Sequence, residues 1–147
     1  MKTKSLTFLL SLTFLFLFSG SVYGDDFIDG RDAYQRKDYN EAVRLYRLSA
    51  EQGNAGAQYN LGLMYDNGKG IEQNYKEAMK WYQLAAGQGN SFGQNSVGGL
   101  YANGQGVLQD YKEAMKWFKL AADQGNEQAK KNFEIVKNLE KQLLEKK

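Results

Sequence analysis

The chain contains no cysteine and no histidine. Without cysteine it can form no disulfide, so its stability must come from packing. The absence of both residue types also removes the usual zinc ligands and most pairings of a nucleophile with a general base. No Ser-x-x-Lys motif is present, which excludes the serine–lysine arrangement of penicillin-recognising enzymes. The sequence therefore predicts a non-enzymatic protein with no catalytic residue, no cofactor and no metal site.

The chain also has almost no net charge once its first 24 residues are set aside. Lys2 and Lys4 open this segment, an apolar run follows over residues 6–18, and Val22-Tyr23-Gly24 ends it. This order is typical of a signal peptide, with cleavage predicted after Gly24. The apolar run is shorter than the roughly 20 residues that span a membrane, which argues against an uncleaved membrane anchor. No second apolar run of that length follows in the sequence, so no stable insertion is expected after cleavage. The protein is predicted to be exported, to a bacterial periplasm or out of the cell.

Removing two of the 19 basic residues leaves 17, which equals the number of acidic residues. A balanced chain offers no basic stripe of the kind that binds phosphate backbones, so nucleic acid is not an expected partner.

One phrase of sixteen residues occurs three times. "YKEAMKWYQLAAGQGN" at residues 75–90 returns at 111–126 with thirteen identical positions, and residues 39–54 share nine positions with the first of these. The copies start 36 residues apart. A fixed period of this size predicts a stack of helical repeats.

Each phrase predicts a helix with one buried face. In residues 75–90, apolar residues recur at steps of three and four, and they are Ala78, Trp81, Tyr82, Leu84 and Ala85. Because Trp81 recurs at the repeat period as Trp117, inter-repeat packing explains these two side chains better than ligand stacking does.

The phrase also has recognisable ends. A short polar residue followed three positions later by Glu predicts a capping box, and the pairs are Asp38 with Glu41, Asn74 with Glu77, and Asp110 with Glu113. A left-handed glycine is expected to close each helix and an asparagine to begin the next, at Gly53-Asn54, Gly89-Asn90 and Gly125-Asn126.

The segments between the phrases predict a partner helix. "AGAQYNLGLMYDNGKG" at residues 55–70 aligns with residues 91–106 and places Gly62 on Gly98. A mid-helix glycine costs about 1 kcal/mol relative to alanine, so its repetition predicts a close approach of two helices. The first unit has a turn shorter by four residues, and the segment from residue 127 continues as a charged helix that would protect the open end of the stack.

The motifs at residues 57–90 and 93–126, with their 36-residue period, resemble Sel1-like repeat proteins, which are relatives of the tetratricopeptide repeat. Residues 27–54 look closer to a tetratricopeptide unit. The resemblance implies an all-α, right-handed superhelix (solenoid) of antiparallel helix pairs. Its expected units are residues 27–54, 55–90 and 91–126, followed by a capping helix at 127–145, within a mature domain at 25–147.

The resemblance also implies a scaffold that binds a partner protein or peptide on a concave face lined by the first helix of each pair. Tyrosine suits the role of an anchor and asparagine that of a contact to backbone amides. Carried over residue by residue, the groove positions are Arg31, Tyr34, Gln35, Tyr59, Asn60, Leu63, Asp66, Asn67, Asn95, Ser96, Gly99 and Asn103.

Three alternatives stay open at this point. Some groove positions have purely structural explanations, since Tyr59 can stack on a neighbour while Asn67 and Asn103 can form turns. The protein could instead bind a cell-wall glycan or hydrolyse one with two facing carboxylates. It could also self-associate through its last helix, using the apolar residues Phe133, Val136, Leu139, Leu143 and Leu144.

Overall fold

The computed structural model describes residues 26–146 and shows seven helices and no strand in that range. The signal peptide expected at residues 1–24 lies outside the described residues. The helices are α1 (residues 26–35), α2 (Tyr39–Glu51), α3 (Ala55–Asn67), α4 (Tyr75–Gly87), α5 (Ser91–Asn103), α6 (Tyr111–Asp123) and α7 (Glu127–Glu145).

Consecutive helices pack antiparallel into a right-handed solenoid, which confirms the expected fold class. The first helices of the pairs are α1, α3 and α5, and α7 continues their series; the second helices are α2, α4 and α6. In addition to its neighbours in sequence, α5 contacts α7 directly. These two successive first helices therefore approach one another.

The predicted helix starts are confirmed. The cap side chain accepts a hydrogen bond from the backbone of the residue three positions on, at 3.3 Å for Asp38, 3.1 Å for Asn74 and 2.9 Å for Asp110. Asn54, Asn90 and Asn126 make the same bond at the starts of α3, α5 and α7, at 2.8–3.0 Å. Each of these bonds satisfies a backbone donor that the first helical turn leaves without a partner.

In a capping box the glutamate side chain also accepts a hydrogen bond from the backbone N–H of the cap residue, and this part of the prediction was wrong. The glutamate carboxylate of each box pairs with a basic residue three positions on, and two of these contacts are close: Glu41 with Arg44 at 2.6 Å and Glu113 with Lys116 at 2.8 Å. The reason lies in the cap residue's own N–H, which already donates to a carbonyl of the preceding helix at 2.9 Å. The three donor and acceptor pairs are Asp38 to Ala33, Asn74 to Tyr65 and Asp110 to Tyr101.

The predicted close approach at the mid-helix glycines is confirmed. A Cβ atom added at Gly62 would lie 2.6 Å from the ring of Tyr82, and one at Gly98 would lie 2.7 Å from the ring of Phe118. These rings are among the most deeply buried side chains of the protein. Glycine is needed at these positions because an aromatic ring from the second helix of each pair packs directly against the first helix.

Most predicted core positions are buried, but the prediction for Leu84 was wrong. Ala78, Tyr82 and Ala85 have no exposed surface and Trp81 is 7% exposed, whereas Leu84 is 45% exposed. Successive helical residues are rotated by about 100°, which turns Leu84 away from the face that Ala85 shares with Ala78. Trp117 is half-buried against the main core, so both tryptophans pack as expected.

The four extra residues of the later units dock on the preceding repeat. Gly70 lies against the backbone of Tyr39, and Gly106 lies against that of Tyr75, where an added Cβ would meet the carbonyl carbon at 2.7 Å. Ile71, next to Gly70, also packs against the core. The insertion therefore packs each of the later units against the unit before it.

The first helix carries an acidic face that the sequence analysis did not recognise. Aligning Gly30 with Gly62 places Asp26, Asp29 and Asp32 where α3 has the buried residues Gln58, Leu61 and Met64. Asp29 and Asp32 are exposed. This face of α1 is therefore exposed to solvent at Asp29 and Asp32.

Candidate functional site: the concave face

The twelve predicted groove residues all lie on α1, α3 and α5, and they are called the concave face below. None of them is fully buried: Arg31, Gln35, Asn67 and Asn103 are exposed, and the other eight are half-buried. They are therefore placed on a surface that also contacts the core, but the structure gives several of them specific structural partners.

At the start of the concave face, Tyr34 is engaged by Lys69, a residue to which the sequence analysis gave no role. The Nζ atom of Lys69 donates to the Tyr34 hydroxyl at 2.9 Å and lies 5.2 and 5.5 Å from the ring centroids of Tyr34 and Tyr39. The hydrogen bond to Tyr34 raises the pKa of Lys69. The insertion loop thus places a cation beside the first aromatic residue of the groove.

Three predicted residues meet at a small hollow between α1 and α3. Tyr34, Asn60 and Leu63 line it together with Tyr46 and Met64, and its volume is about 140 Å³. Burial raises the pKa of Tyr46 further above the physiological range, where a phenol is already a neutral hydrogen-bonding group. The hollow combines apolar walls with an amide and a phenol, which suits a small apolar side chain flanked by a polar backbone.

In the middle of the concave face, Tyr59 belongs to an aromatic cluster. Its ring centroid lies 5.9 Å from that of Tyr82 and 5.8 Å from that of Phe92. The structural explanation for Tyr59 is thus supported, because the ring stacks on neighbours from α4 and α5. Phe92 is 60% exposed and was missed, since its counterpart one period earlier is Gly56 and the repeat gave no signal.

Asp66 also has a structural partner. The hydroxyl of Tyr82 donates to its Oδ2 atom at 2.8 Å, and the burial of Tyr82 raises the pKa of that phenol well above its ordinary value. Asp66 is the one carboxylate among the twelve predicted residues. The concave face as predicted therefore holds no pair of facing carboxylates of the kind that a glycosidase uses.

At the far end, the concave face continues onto α7. The Nδ2 atom of Asn132 donates to Oδ1 of Asn95 at 2.9 Å, which links α7 to α5. Beside this bond lies a larger hollow of about 370 Å³ between α5, α6 and α7, lined in part by Gly99, Asn103 and Ile135. Gly99 stands where α3 has Leu63, and a Cβ added there would meet no atom of another helix within 4 Å.

Two further predicted residues, Asn67 and Asn103, make hydrogen bonds to residues close to them in sequence. Asn67 donates to the carbonyl of Leu63 at 2.9 Å, and Asn103 donates to the side chain of Gln105 at 3.1 Å. A role in forming a turn therefore explains both asparagines as well as a role in binding a partner does.

Residues 26–146 contain no cluster of three or more acidic side chains placed to hold a metal ion. No helix in this range combines the length and the apolar character needed to cross a membrane.

The repeat itself identifies the family. The family model described as "Sel1 repeat" matches residues 28–54, 55–90 and 91–126. The chain therefore belongs to the Sel1 repeat family, whose members are generally protein-interaction scaffolds. The comparison with curated proteins returned no significant match.

Among solved structures, the chain is similar to a protective antigen of uropathogenic Escherichia coli displaying an SLR fold, with 36% identity and a TM-score of 0.71. It is also similar to a Sel1 repeat protein from Oxalobacter formigenes, with 34% identity and a TM-score of 0.70. These alignments cover 76% and 74% of this chain but only 25% and 43% of those proteins.

A third structure, cysteine rich protein B of Helicobacter pylori, shares the fold alone. It is 22% identical with a TM-score of 0.58, and the alignment covers 69% of this chain and 92% of that one. The present chain has no cysteine, so it builds the same architecture without disulfides.

Proposed function

We propose that this protein is an exported interaction module that binds a partner protein or peptide on its concave face. The observation that carries the proposal is the chemistry of that face. Nine of its twelve residues are uncharged and polar, aromatic or glycine, one is Leu63, and the two charges are Arg31 and Asp66. They come from three consecutive first helices, so they form a continuous surface and not a deep pocket.

The expected ligand is an extended, largely uncharged segment. Side-chain amides such as Asn60 and Asn95 can pair with a peptide backbone, and the two hollows at Leu63 and Gly99 can each take an apolar side chain. Export is supported by the order of charged, apolar and small residues at positions 1–24.

Leu63 provides the sharpest test. It is half-buried on the concave face, and its counterpart in the first unit is Arg31, so the fold already accepts an arginine at this register position. Leu63→Arg would place a bulky charge in the groove at small cost to folding. Leu84→Arg is the matched control, because Leu84 is an exposed leucine of a second helix.

The experiment is affinity capture from the native envelope or culture fluid, run in parallel with the parent chain and both variants. A partner retained by Leu84→Arg and lost by Leu63→Arg is then purified, and its direct binding is measured by calorimetry. At least a tenfold loss of affinity in Leu63→Arg, about 1.4 kcal/mol, is expected. Equal binding by all three proteins would refute the groove as the binding surface.

The glycan alternative has less support. Phe92 and Tyr59 would offer an aromatic surface to a sugar, but Asp66 is held by Tyr82 and the predicted face has no second carboxylate. Retention on purified cell-wall glycan, lost on Phe92→Ala, would favour binding of a glycan over binding of a protein.

A further inference from the structure

A carboxylate without a counterion lies in the middle of the concave face. Asp66 is half-buried, and the one hydrogen bond that its carboxylate receives from residues 26–146 comes from the neutral hydroxyl of Tyr82, at 2.8 Å to Oδ2. The ion pairs within this range all join residues of a single helix, on α2, α4, α6 or α7, and none includes Asp66. Partial burial takes hydration from a carboxylate, so its charge favours a cationic partner.

The first unit shows how the fold brings a cation to this register position. Aligning Gly30 with Gly62 places Tyr34 where the second unit has Asp66. The Nζ atom of Lys69, which comes from the insertion of the following unit, donates to the Tyr34 hydroxyl at 2.9 Å. The position in the first unit is thus occupied by an ammonium of the same chain, although the acceptor there is only a neutral phenol.

In the second unit the corresponding lysine is missing. Gln105 stands one period after Lys69, and its side-chain oxygen accepts a hydrogen bond from Asn103 at 3.1 Å. The neutral acceptor of the first unit therefore has a cation beside it, whereas the charged acceptor of the second unit does not. Nothing in the described part of the chain supplies the cation that Asp66 lacks.

The surface beside Asp66 has room for an aliphatic stem. In the first unit Tyr34 and Leu63 line one hollow, and their counterparts one unit later are Asp66 and Gly99. Asp66 and Gly99 therefore border the equivalent space. A Cβ added at Gly99 would meet no atom of another helix within 4 Å, so the wall that Leu63 provides in the first unit is absent here.

The neighbouring aromatic residues also favour a cation. Burial, and after it the negative charge of Asp66, raises the pKa of Tyr59, so the carboxylate lies within electrostatic reach of the aromatic cluster. Phe92 belongs to the same cluster, with its ring centroid 5.8 Å from that of Tyr59, and is 60% exposed. The faces of such rings attract cations, so this part of the groove suits a basic side chain.

We propose that Asp66 binds a lysine side chain of the partner segment, with the stem of the lysine over Gly99 and its ammonium donating to Oδ1 of Asp66. Lysine fits better than arginine because Tyr82 already occupies Oδ2, whereas the guanidinium fork needs both oxygens of a carboxylate. This inference rests on the proposed function and adds one basic residue to the otherwise uncharged segment expected there.

The test begins with a library of displayed random heptapeptides, selected on the chain from Asp25 to Lys147. Peptides that bind the groove are those retained by Leu84→Arg and lost on Leu63→Arg, and they are expected to share a lysine. Calorimetry should then show about a tenfold loss of affinity, or more, when that lysine is replaced by norleucine or when the protein carries Asp66→Asn. The two losses should not add, because both changes remove the same contact. Salt should weaken the binding of the parent more than that of Asp66→Asn.

A second measurement uses the position from which Lys69 reaches Tyr34. Gln105→Lys places a lysine at the equivalent position of the third unit, where it should compete with the lysine of the peptide and lower the affinity by a similar factor. Gln105→Met has a side chain of similar length without the charge, so it should bind the peptides as the parent does. Equal affinities of Gln105→Lys and Gln105→Met would contradict the placement of the lysine.

The outcomes separate this inference from the function on which it rests. Groove-binding peptides that share no lysine, or whose affinity Asp66→Asn leaves unchanged, would overturn the lysine site while the groove remains the binding surface. Tighter binding after replacement of the lysine by arginine would overturn the choice of lysine. A selection in which no peptide depends on Leu63 would refute the groove itself, and the proposed function with it.

Discussion

The hydroxyl of Tyr82 on α4 lies 2.8 Å from the Oδ2 atom of Asp66 on α3 and joins the buried face of a second helix to the concave face. One period later the same two positions hold Phe118 and Ala102. The donor and the acceptor are thus lost together in the third unit. Their joint replacement indicates that the two groups act as a pair in holding the helices of the second unit.

A double-mutant cycle on Tyr82→Phe and Asp66→Ala tests this pairing. A hydrogen bond to a charged group contributes about 1.5–3 kcal/mol, so each single variant should lower the free energy of unfolding by about that amount. The double variant, which reproduces the third unit, should lose clearly less than the sum of the two. Urea denaturation followed by circular dichroism measures the cycle, and strict additivity would contradict it.

The same tyrosine predicts a loss of stability in alkali. Burial raises the pKa of Tyr82 in the folded state above its ordinary value of 10.0, so unfolding releases a proton once the unfolded phenol ionises. The contribution of Tyr82 to the free energy of unfolding is fully present below pH 10. Above pH 10 it is lost progressively, at up to about 1.4 kcal/mol per pH unit. Urea unfolding below and above pH 10 should show a smaller loss for the Tyr82→Phe, Asp66→Ala double variant than for the parent.

Adjacent glycines on α5 should respond to alanine in opposite directions. A Cβ at Gly98 would lie 2.7 Å from the ring of Phe118 and 3.1 Å from the backbone oxygen of Ala114, whereas at Gly99 it would meet nothing. Gly98→Ala should therefore cost about 1–3 kcal/mol through overpacking. Gly99→Ala should gain up to about 1 kcal/mol from helix propensity. Similar melting temperatures for the two variants would show that the close approach at Gly98 is not a constraint.

A second glycine pair isolates the docking of the insertion. Gly106 and Gly125 both have positive φ, at 70° and 88°, so alanine costs about 1–2 kcal/mol of backbone strain at either. At Gly106 alone the new Cβ would also meet the backbone of Tyr75 at 2.7 Å. Gly106→Ala should be the more destabilising variant by at least about 1 kcal/mol in thermal unfolding. Equal losses of stability in the two variants would mean that the insertion does not pack tightly against the preceding repeat.

Much of the fold could be predicted because its determinants are local or periodic. The caps at Asn54 and Asn90 depend on a hydrogen bond over three residues, and the close approach at Gly62 was marked by its recurrence at Gly98. The error at Leu84 came from spacing alone, since steps of three and four are compatible with two adjacent faces of a helix.

The details of the candidate site were harder to predict because they depart from the repeat. Phe92 replaces Gly56, and Gly99 opens a hollow whose walls come from helices far apart in sequence. The role of Lys69 depends on Tyr34, which is 35 residues away in a unit with a shorter turn. Such contacts become visible only when neighbouring units are placed side by side.

The most direct test of the central claim is site-specific photo-crosslinking in living cells. A photoreactive amino acid is placed in turn at the groove positions Asn60 and Ser96 and at the outer positions Leu84 and Leu120. The account predicts that one and the same protein cross-links to the groove positions and not to the outer ones. Cross-links from the outer leucines with none from the groove would contradict it.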